Sequence, residues 1–310
     1  MSALLLSPGT LHGAIERRSA QALADGALQP IETVCTRIDD GGIRFIVRQV
    51  SSLARKTYAL EGDTSDTSST PPSDPFKPYD PALFVADISD THIALLNKFN
   101  VIDHHMLIVT RDFEEQETLL DLSDFVAWLA CLAEFNALGF YNGGVSAGAS
   151  QAHKHMQIVP LPITTEHNDG FALPIEPLIA SARASTRASA GTLLTRFPFV
   201  HAFAPLAPAS GPQAAAAALD CYLWLMRSLA LVSYAEGKPV RQAAAYNLLM
   251  TQRWMLVVPR TEAHIEGISI NALGFAGSLF VRDAVQLETV QRLGPMTLLA
   301  RVSRPVGHKL

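Results

Sequence analysis

Three residues of this 310-residue chain alternate in a way that can do chemistry: His153, His155 and Gln157, in the run Ala152-His-Lys-His-Met-Gln-Ile-Val-Pro160. Successive side chains of a strand point to opposite faces, so these three share one row while Lys154, Met156 and Ile158 take the other. Just upstream, Tyr141-Asn-Gly-Gly-Val-Ser-Ala-Gly-Ala-Ser150 supplies Gly143, Gly144, Gly148, Ser146 and Ser150. Small residues of this kind let a loop bring backbone N–H groups together on an anion. A glycine-serine loop feeding a histidine strand reads as a phosphate site with a nucleophile beside it.

The His-x-His pair has three readings. Alternate histidines can chelate zinc, but no neighbouring Cys and no carboxylate on the same strand completes a tetrahedral set, so no metal is assigned. Taken alone, the pair also fits two polar residues on a half-buried strand. The third reading is a covalent nucleophile toward phosphorus, which needs a neutral ring whose far nitrogen is held by an acceptor. The preceding loop favours the third.

Asn142, Gly144, Gly148, Ser150, His153, His155 and Gln157 stand at spacings that resemble the histidine-triad nucleotide-binding superfamily, with Gln157 where its last histidine usually falls. That substitution is similar to the nucleotidylyltransferase branch. The phrase Ala147-Gly-Ala-Ser-Gln-Ala-His-Lys-His-Met-Gln157 resembles the ATP adenylyltransferase, or diadenosine tetraphosphate phosphorylase, family. Leu95-Leu-Asn-Lys-Phe99, His105-Met-Leu-Ile-Val-Thr110, Pro75-Phe-Lys-Pro-Tyr-Asp80 and Gly267-Ile-Ser-Ile-Asn-Ala-Leu-Gly-Phe-Ala-Gly277 match it too, over most of the chain.

The resemblance implies phosphorolysis of diadenosine tetraphosphate to ATP and ADP, with His155 covalently nucleotidylated. It implies that His153 orients the site, that Gln157 and Ser150 bond the α-phosphate oxygens, and that Asn97 and Lys98 line the nucleotide pocket. His105 matches an outlying histidine of the family, while His104 is expected at the surface. Asn142, Gly148 and Gln151 join the binding set. Lys154 is expected at the surface or as a phosphate ligand behind the row, and Lys56 or Arg111 as a holder of the polyphosphate tail. The implied partners are dinucleoside polyphosphates, ATP, ADP and phosphate. No cofactor is covalently bound, and a divalent cation such as Mg can travel with the nucleotide. Such an intermediate is a phosphoramidate, labile enough to pass AMP onward. ATP and ADP are stable leaving anions, so a glutamine can stand where a hydrolase of amines would want an acid. Two alternatives remain: UMP transfer between hexose phosphates, a branch that also ends its motif in glutamine, and a nucleotide-sensing protein without turnover.

Elements must hold these residues in place. Residues 8–24 read as a helix with Leu11, Ile15 and Ala22 on one side. Ile31–Ile38 and Ile43–Val50 read as strands joined by a turn at Asp39-Asp-Gly-Gly42. The polar, proline-rich stretch from Gly62 to Pro81 reads as a loop, mobile over 62–75. An apolar run at Leu83–Ile88 and a strand at Met106–Thr110 follow. Asp121 can cap a helix bearing Leu122, Phe125, Val126, Leu129, Leu132 and Ala133. Thr164 to Gly211 reads as irregular, a second long helix runs from Gln213 to Glu236, and Tyr246–Thr251 with Trp254–Val258 read as paired strands. An echo links His105–Arg111 with Trp254–Arg260, each an apolar strand ending in arginine and followed by an Asn-and-Gly segment, the second at Asn271–Gly277. Read as duplication, it makes the second half a degenerate repeat without histidines; the other reading is coincidence.

The expected architecture is α+β, with a histidine-triad-like antiparallel sheet and packed helices. Residues 1–165 form the catalytic region and residues 166–310 a C-terminal α+β region packed on it. Hydrophobic residues at 48% and charged residues at 17% describe a globular chain. A net charge of −5 argues against nucleic acid and anionic membrane as partners. Cys35, Cys131 and Cys221 are odd in number and far apart, as expected of reduced thiols. No apolar run is long enough to cross a membrane, and the opening residues lack the basic start of a signal peptide. A cytoplasmic protein is expected.

Overall fold

The computed structural model describes residues 3–51, 74–163, 170–185, 194, 196–207, 211–235 and 238–306. Helix α1 (Leu11–Ala24) buries Leu11, Ile15 and Ala22, as its spacing requires. Strands β1 (Thr33–Asp40) and β2 (Ile43–Val50) pair antiparallel. They turn at Gly41 and Gly42, whose φ of 58° and 84° are the left-handed values of a two-residue hairpin. Then come β3 (Phe84–Asp87), β4 (His92–Leu96), β5 (Met106–Thr110), α2 (Leu122–Leu132), β6 (Ala137–Gly143) and β7 (His155–Pro160). The second half contains α3 (Glu176–Ser185), β8 (Ala202–Pro205), α4 (Pro212–Ser228), β9 (Val232–Ala235), β10 (Lys238–Gln242), β11 (Tyr246–Met250) and β12 (Trp254–Pro259). It ends with β13 (His264–Ile265), β14 (Ile268–Ser269), α5 (Ala272–Ala276), β15 (Ser278–Val281), α6 (Ala284–Leu293) and α7 (Pro295–Arg301).

Eight strands form one sheet in the order β3-β4-β5-β7-β6-β11-β12-β8, antiparallel throughout. One face packs under α1, α2 and α4 through Ile15, Trp128, Tyr222, Ile108, Met156 and Leu248. The other packs, over its second half, under a three-stranded sheet of order β1-β2-β15 through Phe45, Phe140, Phe203, Leu256, Phe275 and Leu279. Over β4 and β5 that second core gives way to a small cluster of Ile93, Leu95, Leu107 and Val109 with Phe76 and Tyr79. The histidine row emerges there.

The sheet order is symmetric about the β6/β11 pair, where Asn142 lies opposite Asn247. Thus β7 corresponds to β12, and β5 to β8. Met106 opposes Ile158 in one half as Ala202 opposes Val257 in the other. Strand β12, Trp254-Met-Leu-Val-Val-Pro259, carries no histidine. The echo noted in the sequence paired β5 with β12, whereas the sheet order sets β12 against β7. Phe203 packs its ring near Trp254, 6.4 Å away, so this face of the second half is filled as core.

Other expectations need correction. The helix from Gln213 stops at Ser228 rather than Glu236. Ala230 takes φ 52°, and Val232 and Tyr234 then enter the β9–β10 pairing, where β-branched and aromatic residues pack well. The stretch Thr164–Gly211, read as irregular, holds α3 and the edge strand β8. Pro177 in its first turn and Glu176, whose carboxylate accepts from the Ala172 and Leu173 amides, start α3. The loop expected over 62–75 lies outside the described residues except Asp74 and Pro75. Asp121 does cap α2, its side chain accepting from the Ser123 and Asp124 amides. The buried face, however, turns toward Trp128 and Cys131 and leaves Leu122 exposed.

Lys154 is buried rather than at the surface. Its ammonium is buried behind the histidine strand, 2.7 Å from Asp124, 2.9 Å from Glu114 and 3.3 Å from the Leu119 carbonyl. His92 holds the other Asp124 oxygen at 3.0 Å. Burial opposes both charges; the mutual Lys154–Asp124 attraction overcomes it, raising the Lys154 pKa and, with the His92 hydrogen bond, lowering that of Asp124. Removing one partner strands the other. Lys154→Met is therefore expected to cost about 3–5 kcal/mol in urea unfolding, and a loss below about 1 kcal/mol would show that Asp124 finds solvent instead.

Candidate active site

Strand β7 runs between β5 and β6, and its odd-numbered residues face the open end of the sheet. His153 precedes it, bridged to Glu115. The His155 ring places Nδ1 2.8 Å from the His153 carbonyl. A carbonyl only accepts, so Nδ1 carries the proton and Nε2 is left with its lone pair. The strand is clamped by Gln116, whose Oε1 accepts from the His155 amide at 2.8 Å. Its Nε2 donates to the Asn142 and His155 carbonyls at 3.0 and 3.2 Å. Burial pushes the His155 ring down from 6.5 to about 4 against the opposing effect of the His153 carbonyl, so the ring is neutral at pH 7.

His153 is tethered at both nitrogens. Nδ1 lies 2.7 Å from the Asp74 carboxylate, and Nε2 lies 2.8 Å from the Thr110 carbonyl and 3.0 Å from its hydroxyl. Phe76 and Phe113 stand edge-on to the ring, and Phe76 also reaches His155. Gln157 takes another kind of partner: its Oε1 accepts from His105 Nε2 at 2.9 Å. Burial lowers the His105 pKa to about 4.

A cavity of about 360 Å³ opens onto this row, lined by Asn97, Lys98, Ser150, Gln151, His155 and Gln157 with the apolar Phe76, Leu83, Leu95 and Phe99. A second of about 610 Å³ adjoins it, sharing Pro75, Ser150 and Gln151 and reaching His153, Glu115, Glu117 and Arg241. Six expected residues thus meet at one cavity. His105 lies behind Gln157 rather than on the wall. Asn142 is buried, its Oδ1 accepting from Asn247 Nδ2 at 2.8 Å and the Ala272 amide at 3.0 Å. Gly148 has φ 87°, and a Cβ there would stand 3.0 Å from the Ile270 carbonyl oxygen, so only glycine fits. Within the loop, Ala147, Gly148 and Ala149 donate to carbonyls of the loop itself. Of the loop residues, Ser150 and Gln151 line both cavities.

Lys56 lies outside the described residues. Arg111 is held by Asp87 and the Ser89 carbonyl and lines neither cavity. His104, expected at the surface, is half-buried at φ 58° and bonds Ser19. Gln116 and Asp74 escaped the sequence reading: one sits in Glu114-Glu-Gln-Glu117 and the other ends a polar stretch, with no periodicity to mark them. Among the described residues, no three His, Cys, Asp or Glu side chains converge as a metal set.

Two buried neutral rings make stability depend on pH. Unfolded, His105 and His155 titrate near 6.5 and folded near 4, so between those values the unfolded chain binds more protons. Their contribution is full above pH 6.5 and is lost as pH falls through the folded pKa. The unfolding free energy of His155→Asn should decline less steeply than wild type from pH 6.5 to 4.5, by about 1.4 kcal/mol per pH unit. Equal slopes would mean that the ring is solvated.

Comparison with known proteins places this geometry. Residues 1–181 match the family model of the Ap4A phosphorylase N-terminal domain, and residues 195–305 that of the ATP adenylyltransferase C-terminal domain. Diadenosine 5',5'''-P1,P4-tetraphosphate phosphorylase 2 of Saccharomyces cerevisiae is 29% identical over 63% of this chain and 64% of that protein. Protein APA1 of the same yeast is 23% identical over 89% and 88%. The crystal structure of yeast Ap4A phosphorylase Apa2 superposes with a TM-score of 0.76 at 24% identity, covering 98% of each chain. Its complex with AMP gives 0.76 at 26%, covering 98% and 100%. The fold is accordingly the histidine-triad-like α+β fold, and with the first model matching more than half its length, this chain belongs to the Ap4A phosphorylase family.

Proposed function

We propose that this protein catalyses the reversible phosphorolysis of diadenosine tetraphosphate, acting as a nucleotidyltransferase through an adenylylated His155. The observation that carries the reading is the fixed tautomer: Nδ1–H is bound to the His153 carbonyl and a neutral Nε2 faces a cavity lined by polar donors. The Nε2 lone pair attacks an α-phosphorus, the bond to the bridging oxygen breaks, and ATP departs with the electron pair. A phosphate oxygen then attacks the same phosphorus, the P–N bond breaks, and ADP leaves a neutral ring behind. The substrates are therefore diadenosine tetraphosphate and phosphate in one direction, ATP and ADP in the other. Any divalent cation arrives with the polyphosphate.

Gln157 and Ser150 are proposed to donate to the α-phosphate oxygens, Gln151 to support them, and Asn97 and Lys98 to hold the nucleotide. His153 supports His155 by its carbonyl, and Gly148 and Asn142 by fixing the loop. Lys154 acts only from behind. UMP transfer between hexose phosphates and nucleotide sensing without turnover are the competing readings. No helix among the described residues is long and apolar enough to cross a membrane, and the three cysteines are unpaired, which supports a reducing, cytoplasmic setting. The second half is proposed to be a degenerate copy whose β12 carries no histidine, hence one site per chain.

Diadenosine tetraphosphate labelled in its adenylyl group tests the reading. Wild type should take up about one acid-labile, base-stable label per chain and release it as ADP on adding phosphate; His155→Ala should take up none. Label retained by His155→Ala would remove that residue as nucleophile. Turnover of UDP-glucose with galactose 1-phosphate, in place of the adenine dinucleotide, would establish the hexose reading. Tight nucleotide binding without label or turnover would establish the sensor.

A further inference from the structure

Gln157 can do its work in one orientation only. Its amide has an accepting end and a donating end, and a phosphate oxygen is served by the NH2 alone. Which end faces the cavity is settled by a chain of hydrogen bonds that starts at a backbone amide. The Phe99 N–H, which can only donate, points at Asn97 Oδ1 at 3.3 Å. That puts Asn97 Nδ2 toward His105, 3.0 Å from Nδ1. An NH2 group can only donate, so Nδ1 accepts and the single proton of the neutral ring sits on Nε2. His105 Nε2–H then donates to Gln157 Oε1 at 2.9 Å, and the Gln157 NH2 is turned the other way. The ring is held by Phe140, 5.6 Å between centroids, and by the bond from the Asn97 amide to the His105 carbonyl, 2.9 Å. His105 itself does not line the cavity, whereas Asn97 and Gln157 do.

We propose that His105 is a positioning residue: with Asn97 setting its tautomer, it locks the Gln157 amide with the NH2 directed into the cavity, at one non-bridging oxygen of the α-phosphate. The inference rests on the phosphorolysis reading and adds a device to it. Were the amide free to rotate, its carbonyl would meet the phosphate oxygens as like partial charges, and a donor aimed at the developing charge would be lost. Burial keeps the ring neutral, since a second proton on Nδ1 would set two donors against each other at Asn97. The same chain ties the Asn97–Phe99 turn, whose Lys98 lines the nucleotide cavity, to the residue that handles the phosphate.

The test separates polarity from shape. His105→Phe keeps the ring and deletes the donor; His105→Gln loses the ring but keeps an acceptor for Asn97 and a donor for Gln157. The probe is the pair of Sp and Rp diastereomers of adenosine 5'-O-(1-thiodiphosphate), the adenylyl donor of the reverse reaction, in which sulfur, a poor acceptor, replaces one or the other non-bridging α-oxygen and phosphate is the leaving group. Wild type should adenylylate faster from one diastereomer. His105→Phe should bring the two within about threefold and lower kcat for phosphorolysis of diadenosine tetraphosphate by about 100-fold with KM little changed. His105→Gln should keep the discrimination. If His105→Phe folds poorly, Asn97→Leu, which leaves the ring but frees its tautomer, should also erode the discrimination. A folded His105→Phe that discriminates like wild type, or a His105→Gln that fails as His105→Phe does, overturns the inference alone. Wild type that forms no adduct from either diastereomer, from ADP or from diadenosine tetraphosphate overturns the proposed reaction as well.

Discussion

The hydrogen bond from His155 Nδ1 to the carbonyl two residues back is the contact on which the site depends. It converts an ambiguous imidazole into one with a defined proton and a defined lone pair. It also requires the His153 carbonyl to be fixed just before β7 begins, and several unrelated groups hold the chain there. Gln116 clamps the His155 peptide on both sides. Tyr141 donates to the Gln116 carbonyl. Asp74 and Thr110 hold the His153 ring, and Lys154 pins the residue between the two histidines to the capped start of α2. His155 thus presents a fixed lone pair in a low-dielectric wall, with little left to reorganise.

The second half contributes to that rigidity. Asn247 reaches across the central strand pair to Asn142 and to the Ala147 carbonyl. Arg260, buried and destabilised there enough to lower its pKa to about 9, donates to the Asn247 oxygen and to the Ile270 and Val302 carbonyls. The glycine loop therefore rests on residues about 100 positions downstream. Filling the second face with Trp254, Leu256 and Phe203 turns what would be a second cavity into a foundation.

The chemistry was largely legible because it is local. His153, His155 and Gln157 reveal their common face by alternation, and the small-residue loop declares itself by composition. The capped helix at Asp121 and the Gly-Gly hairpin are likewise local matters of turn and cap chemistry. The long-range partners were not legible. Gln116 sits among glutamates, and its role exists only once residues 114–116 lie beside β7. Lys154 looks like a surface charge until the fold brings Asp124 and His92 against it. His105 was assigned to the pocket, but its ring points at Gln157 and stands one residue back from the cavity. The helix that stops at Ser228 failed for another reason: alanine and leucine continue the helical period while the β9–β10 pairing claims Val232 onward.

The mirror order of the sheet has one more consequence. β6 is a central strand only because β11 covers it; a piece ending after β7 would expose its whole ladder, from Ala137 to Gly143, as a bare edge. The cheapest cover for such an edge is another of itself, since an antiparallel strand pair with a perpendicular two-fold axis is self-complementary. A half-length molecule of this design would be an obligate homodimer with two identical catalytic rows. In the full chain one covalent link joins the two halves, so they need not be identical, and β12, in the mirror position of β7, carries no histidine.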